Sequence, residues 1–181
     1  MSVYISLLRA INVGGSKIIS MDTLCELYAG LRFSHVRTYL QSGNVVFASF
    51  QENLPGIATQ IEARIEQVCG YHVQVFIRQV NDFQQILTHN PFLNQPEVDT
   101  SRLHVAFLYQ VPSEAAWDRL VVPQDIPDKL ARGSSTIYLY TPNGFSKAKI
   151  STSSLEKILA TSLTIRNWNT VTALYKIALD I

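Results

Sequence analysis

The spacing of apolar residues in the first half of the chain predicts four strands and three helices. Short apolar or alternating runs typical of strands lie at 3–8, 36–40, 45–48 and 72–78. Apolar residues recur at helical spacing at 21–31, 57–69 and 80–89. The order is β-α-β-β-α-β followed by a helix, which is the ferredoxin-like, or split βαβ, pattern.

The second half repeats this order. Predicted strands lie at 103–109, 125–131, 136–141 and 163–166, and predicted helices at 113–120, 153–159 and 168–178. Ser20 is a good N-cap for the first helix, and Ser153 and Glu156 fit an S-x-x-E capping box. Asn167 is predicted to cap the last helix. We infer a structural duplication from the order of elements.

These patterns predict an α+β protein built as a duplication of two ferredoxin-like (βαββαβ) halves. The first half would span 1–90 and the second 101–181. Residues 91–100 contain Pro91 and Pro96 and have the composition of a connection. Small ligands usually bind in clefts between such halves, so we expect a ligand cleft there.

Composition narrows the class of protein. The chain is 47% apolar and 16% charged, which is typical of a globular protein. Its net charge of +1 supplies no bulk field for nucleic acid, so such a partner would need a local patch and is not favoured. No apolar run reaches the roughly 18 residues that a membrane span requires, and no signal peptide is recognisable. We expect a cytoplasmic protein without a membrane partner.

Cysteine and histidine give no metal motif. Cys25 and Cys69 form no CxxC pair, and we expect both to be buried and unpaired. The four histidines have no ligand-like spacing to one another or to carboxylates. We therefore predict no metal site, and the residues identify no cofactor.

The first candidate site is the segment from Arg9 to the helix capped by Ser20. Gly14 and Gly15 let backbone N–H groups point at an anion, Lys17 adds charge, and the helix N-terminus adds a partial positive charge. The spacing matches neither a P-loop nor a dinucleotide fingerprint. The structural alternative is a surface loop in which the glycines only permit turning.

The second candidate is the predicted hairpin turn Gln41, Ser42, Gly43, Asn44. Gln41 and Asn44 can hydrogen-bond a ligand or the first loop. Ordinary turn chemistry is the alternative explanation. Ser42 does not lie in a G-x-S-x-G nucleophile elbow.

The third candidate combines Lys147 and Lys149 with Arg166, Asn167 and Trp168. The first turn of the last helix and Arg166 would form an anion site beside the two lysines, and Trp168 would stack on a ring or base. The alternative is a capped helix with Trp168 in the core.

Three strings together resemble one bacterial family. They are Leu7 to Gly15, Thr38 to Phe47 and Thr164 to Val171, and Asn90 to Phe92 and Gly144 to Lys147 match lesser signatures. The resemblance is to the family known as domain of unknown function 1697. It implies a cytoplasmic protein of two ferredoxin-like halves and brings no assigned activity. Ala10 departs from the family, in which glycine is usual at that position.

The leading functional expectation is binding of a phosphate-bearing small molecule or nucleotide in the cleft between the halves. Arg9, Lys17, Lys147 and Arg166 would supply charge, and Asn12, Gln41, Asn44 and Asn167 would orient the ligand. Three alternatives stay open: a phosphoryl- or nucleotidyl-transfer enzyme, a nucleic-acid-binding module, and a protein-interaction module.

Overall fold

The computed structural model describes residues 1–122 and 125–181 and shows an α+β protein with two four-stranded antiparallel sheets. By proximity of Cα atoms the chain divides into two compact units. Unit 1 comprises Met1–Gln85 and Thr172–Ile181, and unit 2 comprises Ile86–Val171. Within the described residues, no helix has the length and apolar character of a membrane span.

The elements of the first half are β1 (Ser2–Leu8), α1 (Met21–Gly30), β2 (Ser34–Tyr39), β3 (Asn44–Ser49), α2 (Leu54–Cys69), β4 (Val75–Gln79) and α3 (Val80–Thr88). Those of the second half are β5 (Leu103–Leu108), α4 (Glu114–Asp118), β6 (Lys129–Arg132), β7 (Thr136–Tyr140), α5 (Thr152–Leu159), β8 (Leu163–Asn167) and α6 (Trp168–Leu179). The predicted types and order of elements are confirmed in both halves.

The two sheets have equivalent strand orders. The order in unit 1 is β2-β3-β1-β4, and the order in unit 2 is β6-β7-β5-β8. Every neighbouring pair is antiparallel. In unit 1, Leu7 lies opposite Asn44, and Leu8 lies opposite Val75. The loops after β1, between β2 and β3, and before β4 therefore meet at one end of the sheet.

The core of unit 1 lies between the sheet and two well-developed helices. Its buried cluster includes Tyr4, Leu24, Tyr28, Phe47 and Ile61. Burial raises the pKa of the Tyr28 hydroxyl, which hydrogen-bonds Ser6 Oγ at 2.7 Å. This bond satisfies a polar group that would be costly to bury alone.

The helices over the equivalent sheet face of unit 2 are much shorter. α4 and α5 have five and eight residues, whereas α1 and α2 have ten and sixteen. The buried cluster of unit 2 centres on Ala106, Trp117, Leu139, Leu155 and Leu163. A sheet of the same strand number thus has about half as many helical residues covering it.

Two predicted local features differ from the structure. α5 is capped by Ser151, whose Oγ accepts from the Ser154 N–H at 3.1 Å, so the Ser153–Glu156 capping box is wrong. Glu156 Oε1 instead accepts from the Leu163 N–H at 2.8 Å and ties α5 to β8.

Cys25 and Cys69 are unpaired but half-buried rather than buried. The predicted N-cap Ser20 is confirmed, since its side chain accepts from the Thr23 N–H.

The boundaries of the two compact units differ from the predicted domain boundaries. Residues 91–100 fall within unit 2, and the last ten residues of the chain group with unit 1. Whether 1–90 and 101–181 behave as independent domains stays a prediction.

Substitution of Gly43 by alanine would show how tightly the β2–β3 hairpin packs. Its φ is +74°, and an added Cβ would lie 2.7 Å from Leu8 Cβ and 2.9 Å from Ile11 Cδ1. Gly14 has φ +60° but open space beside it, so it is a matched control. Left-handed strain should cost each Ala variant about 1–2 kcal/mol. Gly43→Ala should lose about 1–3 kcal/mol more through overpacking.

Urea denaturation of Gly43→Ala and Gly14→Ala measures this difference. Equal losses of unfolding free energy in the two variants would contradict the packing described for the hairpin.

Candidate functional site

The connection between β1 and α1 is long and has an unusual backbone. It comprises the twelve residues 9–20, which we call the tip loop. Five of them have left-handed φ values: Ala10 (54°), Asn12 (55°), Gly14 (60°), Gly15 (76°) and Lys17 (48°). Unit 2 makes the equivalent connection from β5 to α4 with the five residues 109–113. Closing this fold therefore does not require the longer, strained loop.

The side-chain amide of Asn12 holds the tip loop against the hairpin. Its Nδ2 donates to Ile19 O at 2.9 Å and to Gln41 O at 2.7 Å, and its Oδ1 accepts from the Ile19 N–H at 2.8 Å. The nitrogen and the oxygen of this amide thus both form hydrogen bonds within the protein. Asn12 therefore holds the loop against the hairpin through the backbone oxygen of Gln41.

Two further hydrogen bonds tie the tip loop to the connection before β4. Lys17 Nζ donates to His72 O at 2.8 Å. The Tyr71 hydroxyl donates to Ile18 O at 2.6 Å. A lysine ammonium has three donors, so this bond to His72 leaves Lys17 able to bind an anion as well.

The hairpin residues are used largely to form the turn. Asn44 is fully buried, and its Nδ2 donates to Tyr39 O at 2.9 Å and to Ser42 Oγ at 2.8 Å. Leu40 also has a left-handed φ, 56°, which is unfavourable for a bulky side chain. Turn chemistry therefore accounts for Ser42 and Asn44, and only Gln41 presents an exposed amide side chain here.

The charged residues of the tip loop are all basic. Residues 9–20 contain Arg9 and Lys17 and neither aspartate nor glutamate. Gly14 and Gly15 are exposed, whereas Arg9 is half-buried and its backbone N–H donates to Gln74 O at 2.9 Å. Two cations and an exposed glycine pair on a hydrogen-bonded loop are chemically suited to an anion.

The remaining predicted site residues, Lys147, Arg166, Asn167 and Trp168, belong to unit 2. Arg166 is 8% exposed, and its Nη1 donates to Thr164 Oγ1 and Ile165 O, both at 2.9 Å. Burial lowers the pKa of Arg166 to about 10. Trp168 is also buried, and Lys147 is exposed. Arg166 and Trp168 therefore have little surface for contact with a ligand in solvent.

Asn167 anchors the start of α6. Its Nδ2 donates to Ser101 O at 3.0 Å, and its Oδ1 accepts from the Asn169 N–H at 2.9 Å. The second contact is the capping interaction expected of this residue. Asn167 thus has a structural role like that of Asn12 in unit 1.

Sequence reasoning missed His104, which the fold places beside two of the family signatures. His104 lies opposite Asn167 in the β5–β8 ladder, and its ring packs on Phe145 with centroids 4.8 Å apart. Its Nδ1 lies 3.2 Å from Arg102 O and must donate there, because a carbonyl oxygen only accepts. His104 and Asn167 come together only because β5 pairs with β8, and this pairing cannot be derived from a single sequence.

Sequence reasoning also missed a residue-level repeat. Ile77-Arg78 and Asn81 recur as Ile165-Arg166 and Asn169, 88 positions later. Arg78 lies opposite Ile5 on β1, and Arg166 lies opposite Val105 on β5. The Nη1 of each arginine donates to the preceding carbonyl oxygen at 2.9 Å. The repeat supports a duplication with residue identity as well as element order.

Across the described residues, no group of three or more His, Cys, Asp and Glu side chains is placed to hold a metal ion.

The fold and site together define an α+β protein of two similar halves, with a hydrogen-bonded loop at one end of the first sheet. The chain belongs to the family described as protein of unknown function DUF1697, whose model matches residues 1–138. Ala10 has a left-handed φ of 54°, a conformation that glycine would adopt without strain.

A solved structure with the same fold is the conserved bacterial protein SP0830 from Streptococcus pneumoniae. It is 20% identical to this chain, the match covers 98% of each chain, and the TM-score is 0.70. At this identity the likeness concerns the fold alone. No curated protein matches the chain significantly.

His104 yields a prediction about pH. Burial lowers its pKa below the ordinary value near 6.5, and the hydrogen bond to Arg102 O only partly opposes this. Between the lowered pKa and about 6.5, the unfolded chain binds the proton more readily than the folded chain. Stability should therefore fall as pH is lowered through that window, and His104→Phe should remove this part of the loss.

Thermal unfolding midpoints between pH 5 and 8 measure the effect, with exposed His35→Gln as the control. The same pH slope in the wild type and in His104→Phe would contradict it.

Proposed function

We propose that the tip loop of unit 1 binds a phosphate-bearing small molecule or nucleotide. One observation carries the proposal. The duplicated fold closes the same connection with five residues in unit 2, yet unit 1 uses twelve, with five in left-handed conformations. Left-handed non-glycine residues cost about 1–3 kcal/mol each and concentrate at functional sites.

The chemistry of the tip loop supports an anionic group as the ligand. Runs containing left-handed residues direct successive backbone N–H groups toward one side, which is the geometry of anion-binding nests. Arg9 and Lys17 add positive charge, and the loop has no carboxylate to oppose it. Phosphate suits such a site because it accepts several hydrogen bonds at once.

The other predicted residues take different parts in this proposal. Asn12 and Asn44 hold the backbone of the tip loop and hairpin, and Gln41 offers an exposed side chain for the ligand. Participation of Lys147, Arg166, Asn167 and Trp168 in ligand binding stays a prediction for unit 2.

Isothermal titration with inorganic phosphate, pyrophosphate, AMP and a sugar phosphate tests the proposal. Lys17→Gln should weaken binding of the compound that binds best by about tenfold or more, because it removes one of the two loop cations. Lys176→Gln is the control: this lysine is exposed on α6 and is also assigned to unit 1. Equal affinity in wild type and Lys17→Gln would contradict the proposal.

Absence of binding by the whole panel would also contradict it. Protein interaction would then become the next hypothesis, because Val13, Ile18 and Leu40 expose 63%, 69% and 57% of their surfaces at this tip.

We also propose that each unit is ferredoxin-like. The strand orders β2-β3-β1-β4 and β6-β7-β5-β8, with all pairs antiparallel, support this interpretation. An experimental structure in which β1 did not lie between β3 and β4 would refute it.

Two unpaired cysteines support a cytoplasmic location, where thiols stay reduced. Recovery of the native protein outside the cytoplasm on cell fractionation would contradict that location.

A further inference from the structure

A pocket of about 220 Å³, which we call the cavity, lies within unit 2 on the helical side of its sheet. It is open to solvent, since Val121, Lys149 and Ser154 of its lining are exposed. Most of its lining residues are aliphatic: Leu120, Val121, Val122, Ile126, Leu130, Ile150, Leu155 and Ile158. Lys149 and Ser154 are the polar residues of the described lining. In its described lining, the cavity therefore combines an apolar wall with a single charged group, which is cationic.

The cavity follows from the short helices of unit 2. α4 ends at Asp118, and α5 spans only Thr152–Leu159, so neither covers the sheet as α1 and α2 do in unit 1. Leu120, Leu130 and Ile158 are consequently half-buried at the edge of the core cluster. The short helices therefore leave an apolar pocket at this face of unit 2.

The polar residues define the head group that the cavity would accept. The Lys149 side chain makes no hydrogen bond or ion pair with any described residue. Its backbone N–H donates to Oδ2 of the buried Asp128 at 2.6 Å, which fixes the chain at this point. Asp128 is not part of the described lining. A negative head group therefore fits beside Lys149, with Ser154 as a neutral hydrogen-bonding group.

The volume limits the apolar part of the ligand. An enclosed apolar cavity of about 150 Å³ holds benzene, so a volume of about 220 Å³ is room for a chain of roughly six to eight carbons. An aliphatic chain against this wall would remove apolar surface from water, which favours binding.

We propose that this cavity binds a medium-chain aliphatic carboxylate, with the carboxylate at Lys149 and Ser154 and the chain against the aliphatic wall. The site lies wholly in unit 2 and is independent of the phosphate site proposed for the tip loop.

Isothermal titration with octanoate, octylamine and acetate tests both parts of the proposal. Octanoate should bind saturably and at least tenfold more tightly than octylamine, because the single charged lining group is a cation. Acetate should show no measurable binding, because it lacks the chain. Equal affinity for octanoate and octylamine, or no binding of octanoate, would overturn the proposal.

Variants then locate the site. Lys149→Gln should weaken octanoate binding about tenfold without weakening octylamine binding. Lys157→Gln is the matched control, since Lys157 is an exposed lysine of α5 outside the described lining. Octanoate affinity that is unchanged in Lys149→Gln, or equally reduced in Lys157→Gln, would overturn the assignment.

A filling variant provides a further check that does not depend on charge. Ile158→Phe should abolish octanoate binding by occupying the cavity, and circular dichroism would show whether the variant folds. Leu130→Phe serves the same purpose from β6 if Ile158→Phe does not fold. Full octanoate affinity in a folded filling variant would place the ligand elsewhere and overturn the proposal.

Discussion

The side-chain amide of Asn12 is the interaction on which the candidate site of unit 1 depends. Its three hydrogen bonds join the start of the tip loop, the end of that loop at Ile19 and the hairpin at Gln41. Buried or half-buried hydrogen bonds each contribute only about 1 kcal/mol net, but an amide left unsatisfied costs more. The left-handed residues of the loop persist because this amide and the bond from Lys17 to His72 O hold them.

Comparison of the two units shows where they differ. Their sheets share strand order, and an arginine occupies the equivalent place in β4 and β8. Unit 1 has long helices and carries the long tip loop, whereas unit 2 has a short connection, short helices and a cavity. Since the two units share their strand order, the features that differ between them are the best places to look for function.

Much of the local structure could be predicted from the sequence. Ser20 as an N-cap follows from the residues next to it, and the structure has this cap. Ser153 failed as a cap because several adjacent serines offer the same chemistry, and only the helix start selects Ser151. Such capping signals depend only on neighbouring residues, so a single sequence contains them. The sequence does not always show which of several possible caps is used.

The site was less predictable because its contacts are distant in sequence. Asn12 was expected to orient a ligand, and the structure shows that its amide also bonds Ile19 O and Gln41 O, so its contact with a ligand stays a prediction. His104 appeared isolated until β5 paired with β8 and brought it opposite Asn167. The cavity of unit 2 depends on how little of the sheet two short helices cover, which residue periodicity does not state.

We infer that the Asn12 side chain holds the tip loop in one conformation. Native-state hydrogen exchange of Asn12→Ala, with exposed Asn94→Ala as control, tests this inference. We expect exchange at least about tenfold faster at the amides of residues 12, 16 and 19, with β3 unchanged, because the loop opens locally. Unchanged protection at those amides would show that the loop does not depend on Asn12.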